Sequence, residues 1–213
     1  MHILFEGAPA TGKSTVAKHL ALHHGFYRVP EVNEMFPRRP VPEPQYWYCA
    51  RQLDRCRRAR QHSKSILDGD PLQGVWFSWM YPERGFPVWS QSLSYFESQI
   101  DSVFLPYGYI HLRVDESVRY ERERVRERDR GHSHEQFLSK WRRYANFSGP
   151  QAALIDAMRR EYPGWVFSVE AAEFADTVQK ILDLEFGAAP SAADFVGWLR
   201  DWLSNHYATD YRT

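Results

Sequence analysis

The chain has 213 residues, room for one domain with a full hydrophobic core and a small appendage. It balances 27 basic against 27 acidic side chains, and 43% of its residues are hydrophobic, which argues against disorder and against a nonspecific nucleic-acid binder. No apolar run approaches the roughly 18 residues that a membrane span needs.

Met1–Glu6 lacks the basic region, long apolar stretch and cleavage site of a secretory signal, so a cytoplasmic protein is expected. His2–Glu6 predicts a strand, Gly7–Gly12 a turn, and Lys13–His23 a helix that stops near Gly25. Phe26–Pro30 predicts a second strand, and the four prolines of residues 36–44 predict a loop. Glu43–His62 predicts a long helix. Cys49 and Cys56, seven residues apart on it, stand about 10 Å apart by the helical rise, too far for a disulfide. Ser65–Asp68 predicts a third strand, and residues 72–107 two short aromatic-rich helices broken near Pro82–Pro87. Tyr109–Val114 predicts a fourth strand, with Asp115 as N-cap of a helix over Glu116–Arg130. Further helices are expected over Ser133–Phe147 and Pro150–Tyr162, then a strand at Trp165–Val169 and a helix over Phe174–Phe186. After a small-residue linker at 187–193, Phe195, Trp198, Leu199, Trp202 and Leu203 follow the spacing of an amphipathic helix capped by Ser191. Strands alternating with helices imply an α/β, three-layer fold around a central parallel sheet of about five strands. The division expected is a main domain over 1–186 and a linker plus helix over 187–213.

Gly7-Ala8-Pro9-Ala10-Thr11-Gly12-Lys13-Ser14 matches G-x-x-x-x-G-K-[ST] between a strand and a helix. Glycines at both ends allow tight backbone angles and close approach. The amides of the turn and of the helix start, through Thr15, converge on an anion. Lys13 adds a point charge, and Ser14 a hydroxyl for Mg²⁺. The chain is therefore expected to bind a nucleoside triphosphate. The Asn/Thr-Lys-x-Asp motif of switch GTPases is missing, and 213 residues are too few for transport or large ring ATPases, which leaves small phosphotransferases.

Over roughly residues 1–185 the sequence resembles P-loop nucleoside and nucleotide kinases: deoxynucleoside kinases, thymidylate kinase and the nicotinamide-riboside-kinase-like branch. The resemblance implies a P-loop NTPase fold, ATP and Mg²⁺ as cofactors, and a lid over about residues 115–134. In deoxynucleoside kinases a Pro-Glu ends the second strand with its carboxylate at the acceptor hydroxyl, which points to Glu31 of Pro30-Glu31, with Glu34 as a substitute. Asp68-Gly69-Asp70 ends the third strand, where an acid serves Mg²⁺ or orients the nucleophile. Related kinases place Asp/Glu-Arg there. Gly69 departs from that pattern, leaves the phosphate clamp unassigned, and looks closer to the Asp-x-Asp of the nicotinamide riboside branch.

The helix after the fourth strand carries Arg122, Arg126 and Arg130 on one stripe, and Arg124 and Arg128 on another. Like charges at i, i+4 are destabilising without an anion, although Glu123 and Glu127 at i, i+3 offset them. In the related kinases this helix closes over the transferring phosphate. Arg126 and Arg128, close to the helix end and the Gly131 hinge, are the expected charge-stabilising pair. Aromatics at 46–48 and 76–96, Trp47 among them, are candidates for an acceptor pocket, with Gln52 as a base reader and Asp70 as a further contact; core packing is the competing reading for each ring.

The resulting expectation is an ATP-dependent kinase that phosphorylates a hydroxyl of a small molecule, a nucleoside or nucleoside-like compound. The alternatives are an antibiotic or natural-product O-phosphotransferase on the same fold, and a nucleotide-binding regulator that acts through its C-terminal helix. Neither a membrane nor a nucleic acid is expected as partner. The C-terminal helix is expected on its own domain or on the twin subunit of a homodimer.

Overall fold

Short apolar segments build the centre of the molecule as five parallel strands: β1 (His2–Glu6), β2 (Tyr27–Val29), β3 (Ser65–Asp68), β4 (Gly108–Arg113) and β5 (Val166–Glu170). Their order is β2-β3-β1-β4-β5, the parallel sheet that the sequence predicts. The structure is a computed structural model and describes residues 1–84, 86–143 and 147–211. Buried on both faces, the strands read as nearly continuous apolar runs. Ile3 and Phe5 join Ile66, Ile110 and Leu112 on one face, under α1 (Lys13–His23) and α9 (Phe174–Leu182). Leu4, Val29, Leu67 and Tyr109 face the other way, toward α3 (Trp47–Arg60), α4 (Gln73–Met80), α5 (Trp89–Ser98) and α8 (Ser148–Glu161). α6 (Glu116–Asp129) and α7 (His134–Arg143) follow β4. The connections from β1 and from β4 leave in opposite directions, and a crevice opens at the carboxyl ends of such strands.

Some boundaries move from their sequence positions. The helix expected from Glu43 begins at Trp47, because Pro44 directs the chain away from helical angles and its carbonyl accepts the Trp47 amide (2.9 Å). A short helix, α2 (Val32–Met35), lies between β2 and the prolines and was not anticipated. α9 stops at Leu182 instead of Phe186. The Phe186 ring lies edge-on to Phe167 (5.4 Å) and fills the space where a Cβ on Gly108 would stand, which a continued helix would not allow. Of the helix expected over Ser133–Phe147, residues 144–146 lie outside the described residues. Cys49 and Cys56 are free and buried, and burial pushes both thiols up to about 11, so neither is a reactive thiolate.

The last helix, α10 (Ala192–Asn205), is capped by the Ser191 hydroxyl, which accepts the Asp194 amide (3.1 Å). It buries Phe195, Val196, Leu199 and Leu203 in the larger core. Phe195 meets Trp165 at 5.1 Å, Trp202 meets Trp79 at 5.3 Å, and the Trp79 indole donates to the His206 carbonyl (2.8 Å). The aromatic content therefore has a structural account: Trp76, Trp165, Tyr109 and Phe96 are among the largest fully buried side chains. Leu199→Ala is expected to cost about 3 kcal/mol of unfolding free energy, measured by urea denaturation; an unchanged midpoint and slope would show that this face carries no stability.

Candidate functional site

The glycine-rich loop takes its shape from three residues with positive φ: Gly7 (146°), Ala10 (65°) and Gly12 (99°). Gly7 is obligatory on a second count, because a Cβ there would overlap the Leu112 carbonyl. Thr11 closes the turn by donating its hydroxyl to the Ala8 carbonyl (3.0 Å). Lys13 Nζ lies inside the curve, donating to the carbonyls of Gly7 (2.6 Å) and Ala8 (3.0 Å). The first turn of α1 has no side-chain cap and no acid. Its amides are thus open to an anion at the positive end of the helix.

The loop forms one wall of a cavity of about 1260 Å³. Gly7, Pro9, Ala10, Thr11, Gly12, Lys13, Ser14 and Thr15 line it, while Ala8 is buried behind. Glu31 and Glu34 enter from the end of β2, and Arg122, Arg126 and Arg130 from α6. Tyr48, Gln73, Phe77 and Phe86 form the far end. The volume exceeds that of a single drug-sized pocket and accommodates two small ligands side by side.

The carboxylates around this cavity differ in what they hold. Arg28 grips Glu34 with two bonds (2.8 and 2.6 Å) and Asp68 Oδ2 with two more (3.0 and 2.7 Å). The hydrogen bonds from Arg28 hold the Glu34 carboxyl below the usual range. Asp68 is fully buried and lies on the α1 side of the sheet, two residues beyond Ile66; its Oδ1 has no hydrogen-bond partner. Glu31 stands apart from these bonds. Gly69, at φ 94°, lies beside it: a Cβ at 69 would stand 3.6 Å from Glu31 Cγ, so an arginine there would be strained and crowded.

Several residues singled out in the sequence, Asp68 among them, are not cavity-lining. Asp70 is buried, its Oδ1 accepting the Leu72 amide (2.8 Å) and its Oδ2 the Trp76 indole and the Tyr109 hydroxyl (3.0 Å each). Burial raises the Asp70 carboxyl, which acts here as a core hydrogen-bond hub. Gln52 is buried and accepts from Arg55 (2.5 Å). Trp47 packs edge-on to Phe36 and under Arg39. Arg128 is two-thirds exposed and pairs with its neighbour Asp129.

Helical phase decides the fate of the arginines. The stripe Arg122–Arg126–Arg130 faces the cavity, while Glu123 and Glu127, at the intervening positions, are buried. Glu123 pairs with Arg126 and with Lys140 of α7 (2.9 Å). Glu127 takes Arg130 (3.0 Å), His132 (2.6 Å) and Lys140 (2.6 Å). Burial alone would raise the Glu127 carboxyl, but these donors, Lys140 first, pull it down to about 2. Arg122 donates to the carbonyls of Ala171 and Ala172 (3.1 and 3.0 Å), joining α6 to the loop after β5. Lys140, which also lines the cavity, was legible only as a charge on an amphipathic helix.

Behind the loop, Glu6 is fully buried. Its Oε1 accepts the Gly7 amide (2.8 Å) and Gln151 Nε2 (3.3 Å), and its Oε2 the Asp70 amide (2.9 Å). Burial raises its carboxyl from 4.5 to about 7, against the opposing pull of Lys13. A group raised in this way stabilises the fold fully below its unfolded value, and the contribution is lost as pH rises through 7. Glu6→Gln removes that dependence. Between pH 5 and 8 the difference in unfolding free energy between wild type and variant is expected to shift by about 2–3 kcal/mol in favour of the variant. A pH-independent difference, measured by urea titration, would show that Glu6 does not titrate in this window.

No protein-family model and no curated protein sequence matches the chain. Among solved structures, deoxyadenosine kinase from M. mycoides with bound dCTP is 16% identical and superposes with a TM-score of 0.53, covering 86% of this chain and 97% of that one. The same kinase with products dCMP and a flexible dCDP bound is 15% identical, with a TM-score of 0.53 and the same coverage. This likeness is one of fold. The chain shares with that kinase an α/β P-loop fold, here built on a parallel sheet of order β2-β3-β1-β4-β5.

Proposed function

We propose that the protein is an ATP-dependent kinase that transfers the γ-phosphoryl group to a hydroxyl of a small molecule, a nucleoside or nucleoside-like compound. A single observation carries the reading: one continuous cavity joins the glycine-rich loop, Glu31 and the arginine stripe of α6. Phosphoryl transfer asks little covalent work of a protein and depends on positioning and charge. The loop amides and Lys13 would hold the β- and γ-phosphates. Glu31 would accept the hydroxyl proton, and α6 would act as a lid whose arginines stabilise the charge on the moving group. Phe77, Phe86 and Tyr48 offer flat faces to a base or similar ring.

The Ser14 hydroxyl lines the cavity; Asp68 is fully buried outside the lining, and its Oδ1 has no partner among the described residues. Oxygens of this kind fit Mg²⁺, which would take its remaining ligands from phosphate and water and neutralise phosphate charge. The polar lining of Glu31, Glu34, Arg39 and Glu43 would also admit a hydroxylated natural product as acceptor.

A screen of ADP release across nucleosides, nucleotides, nicotinamide riboside and hydroxylated antibiotics tests the reading, followed by single-turnover transfer of labelled phosphate. A labelled acceptor supports a kinase; ATP binding with no labelled product would support a nucleotide-binding regulator instead. Within the kinase reading, Arg126→Ala should lower kcat by about 10²-fold. Arg128→Ala, at an exposed position, should stay within about twofold. Equal losses for both would refute the assignment by helical face.

A further inference from the structure

The peptide unit between Gly69 and Asp70 is held on both sides by buried ionisable side chains. Its N–H is donated to Glu6 Oε2 (2.9 Å), and its carbonyl accepts Arg55 Nη2 (3.0 Å). Both side chains are almost wholly inaccessible, at 0% and 1%. The same Arg55 Nη2 reaches the Asp68 carbonyl (2.6 Å), and Nε reaches the Pro30 carbonyl (2.7 Å), the peptide that leads into Glu31. Glu6 in turn holds the Gly7 amide. One carboxyl and one guanidinium group thus fasten the start of the glycine-rich loop, the end of β2 and the turn after β3 to a single peptide.

We propose that Glu6 and Arg55 are a positioning pair that sets the distance between the phosphate-holding loop and Glu31. This rests on the kinase reading for the identity of the reacting groups. Burying an ion costs several kcal/mol unless hydrogen bonds compensate, and apolar substitutes for such ions are often no less stable. A core needing only cohesion would have little use for charges here. Five of the seven hydrogen bonds of these two side chains go to backbone groups at the carboxyl ends of β1, β2 and β3, where the reacting groups stand; the other two go to Gln151 and Gln52. The restrained turn also contains Gly69, which has no side chain to hold it and the widest backbone freedom of any residue. A displacement of about 1 Å at such a place reduces turnover by about 10²-fold.

The test uses Glu6→Gln, Arg55→Lys and the double variant in the full-length protein. Lysine keeps the charge of Arg55 but cannot span three carbonyls, and it serves where Arg55→Ala does not fold. Two readouts are taken. The first is hydrogen exchange of the Asp70 amide and the Trp76 indole N–H, by NMR without ligand, since Trp76 donates to Asp70 Oδ2. The second is kcat and KM with ATP and the strongest acceptor from the screen. Each single variant is expected to speed Asp70 exchange and lower kcat by about 10-fold or more with KM within about threefold, and the double variant to fall no further than the worse single one. Additive losses, or faster Asp70 exchange with kcat unchanged, would overturn the proposal. If wild type phosphorylates nothing, the kinase reading fails on its own. The exchange data then decide the pair: unaltered Asp70 exchange in both single variants overturns it, and coupled loss sustains it.

Discussion

Lys13→Ala is expected to slow phosphoryl transfer by about 10³-fold and to weaken ATP binding by a smaller factor. The size follows from where the ammonium sits. Lys13 Nζ bridges the carbonyls of Gly7 and Ala8, two partial negative charges that line the approach of an anion. With alanine those carbonyls lose their cation, so a phosphate meets repulsion as well as a missing attraction. Arginine should not rescue the variant, because its planar fork replaces a compact point charge inside a tight curve. Single-turnover transfer of labelled phosphate gives the rate, and equilibrium binding of ATP the affinity. Full transfer by Lys13→Ala would remove Lys13 from the phosphate-holding machinery, whatever the acceptor.

Glu31→Gln should lower kcat by about 10²–10⁴-fold and leave the acceptor KM nearly unchanged, since an amide keeps the shape but cannot take the proton. The neighbouring carboxylates supply the contrast. Glu34 and Asp68 share Arg28, and the bonds from Arg28 make Glu34 a weaker base. Asp70 spends both oxygens on Leu72, Trp76 and Tyr109. Glu31 is fixed in its backbone, its carbonyl accepting the amides of Glu34 and Met35 (3.0 Å each), but its side chain faces the cavity. Glu34→Gln loses only a half-exposed ion pair, worth about 0–1 kcal/mol, and should leave kcat close to wild type. The reverse order of the two variants would move the base to Glu34.

The sheet was legible because buried parallel strands leave contiguous apolar runs between glycines, prolines and helical periods. His2–Glu6 and Ser65–Asp68 fall on their sequence positions for that reason. What sequence could not resolve was which way side chains turn at the ends of those strands. Asp68 and Asp70 look alike in the chain, yet one meets Arg28 and the other Trp76 and Tyr109. Gln52 read as a base reader on the second helix, yet it is buried and accepts from Arg55, whose own burial is allowed by three carbonyls at strand ends. On α6 the information was present: Arg122, Arg126 and Arg130 share a face, and Arg128 lies off it. Proximity to Gly131 favoured Arg128, whereas the 100° step of the helix places it outside.

The bond between Trp79 and the His206 carbonyl has a consequence for cooperativity. α4 presents Gln73, Gly74, Phe77 and Ser78 to the cavity, while Trp79 is covered from behind by Trp202. The wall that would recognise the acceptor and the final helix therefore belong to one foldon, and local opening of either exposes the other. Hydrogen exchange along α4 and α10 should report a common opening energy. Cleavage within residues 187–190 would then loosen the acceptor end of the cavity while leaving in place the glycine-rich loop, whose helix α1 packs on the opposite face of the sheet.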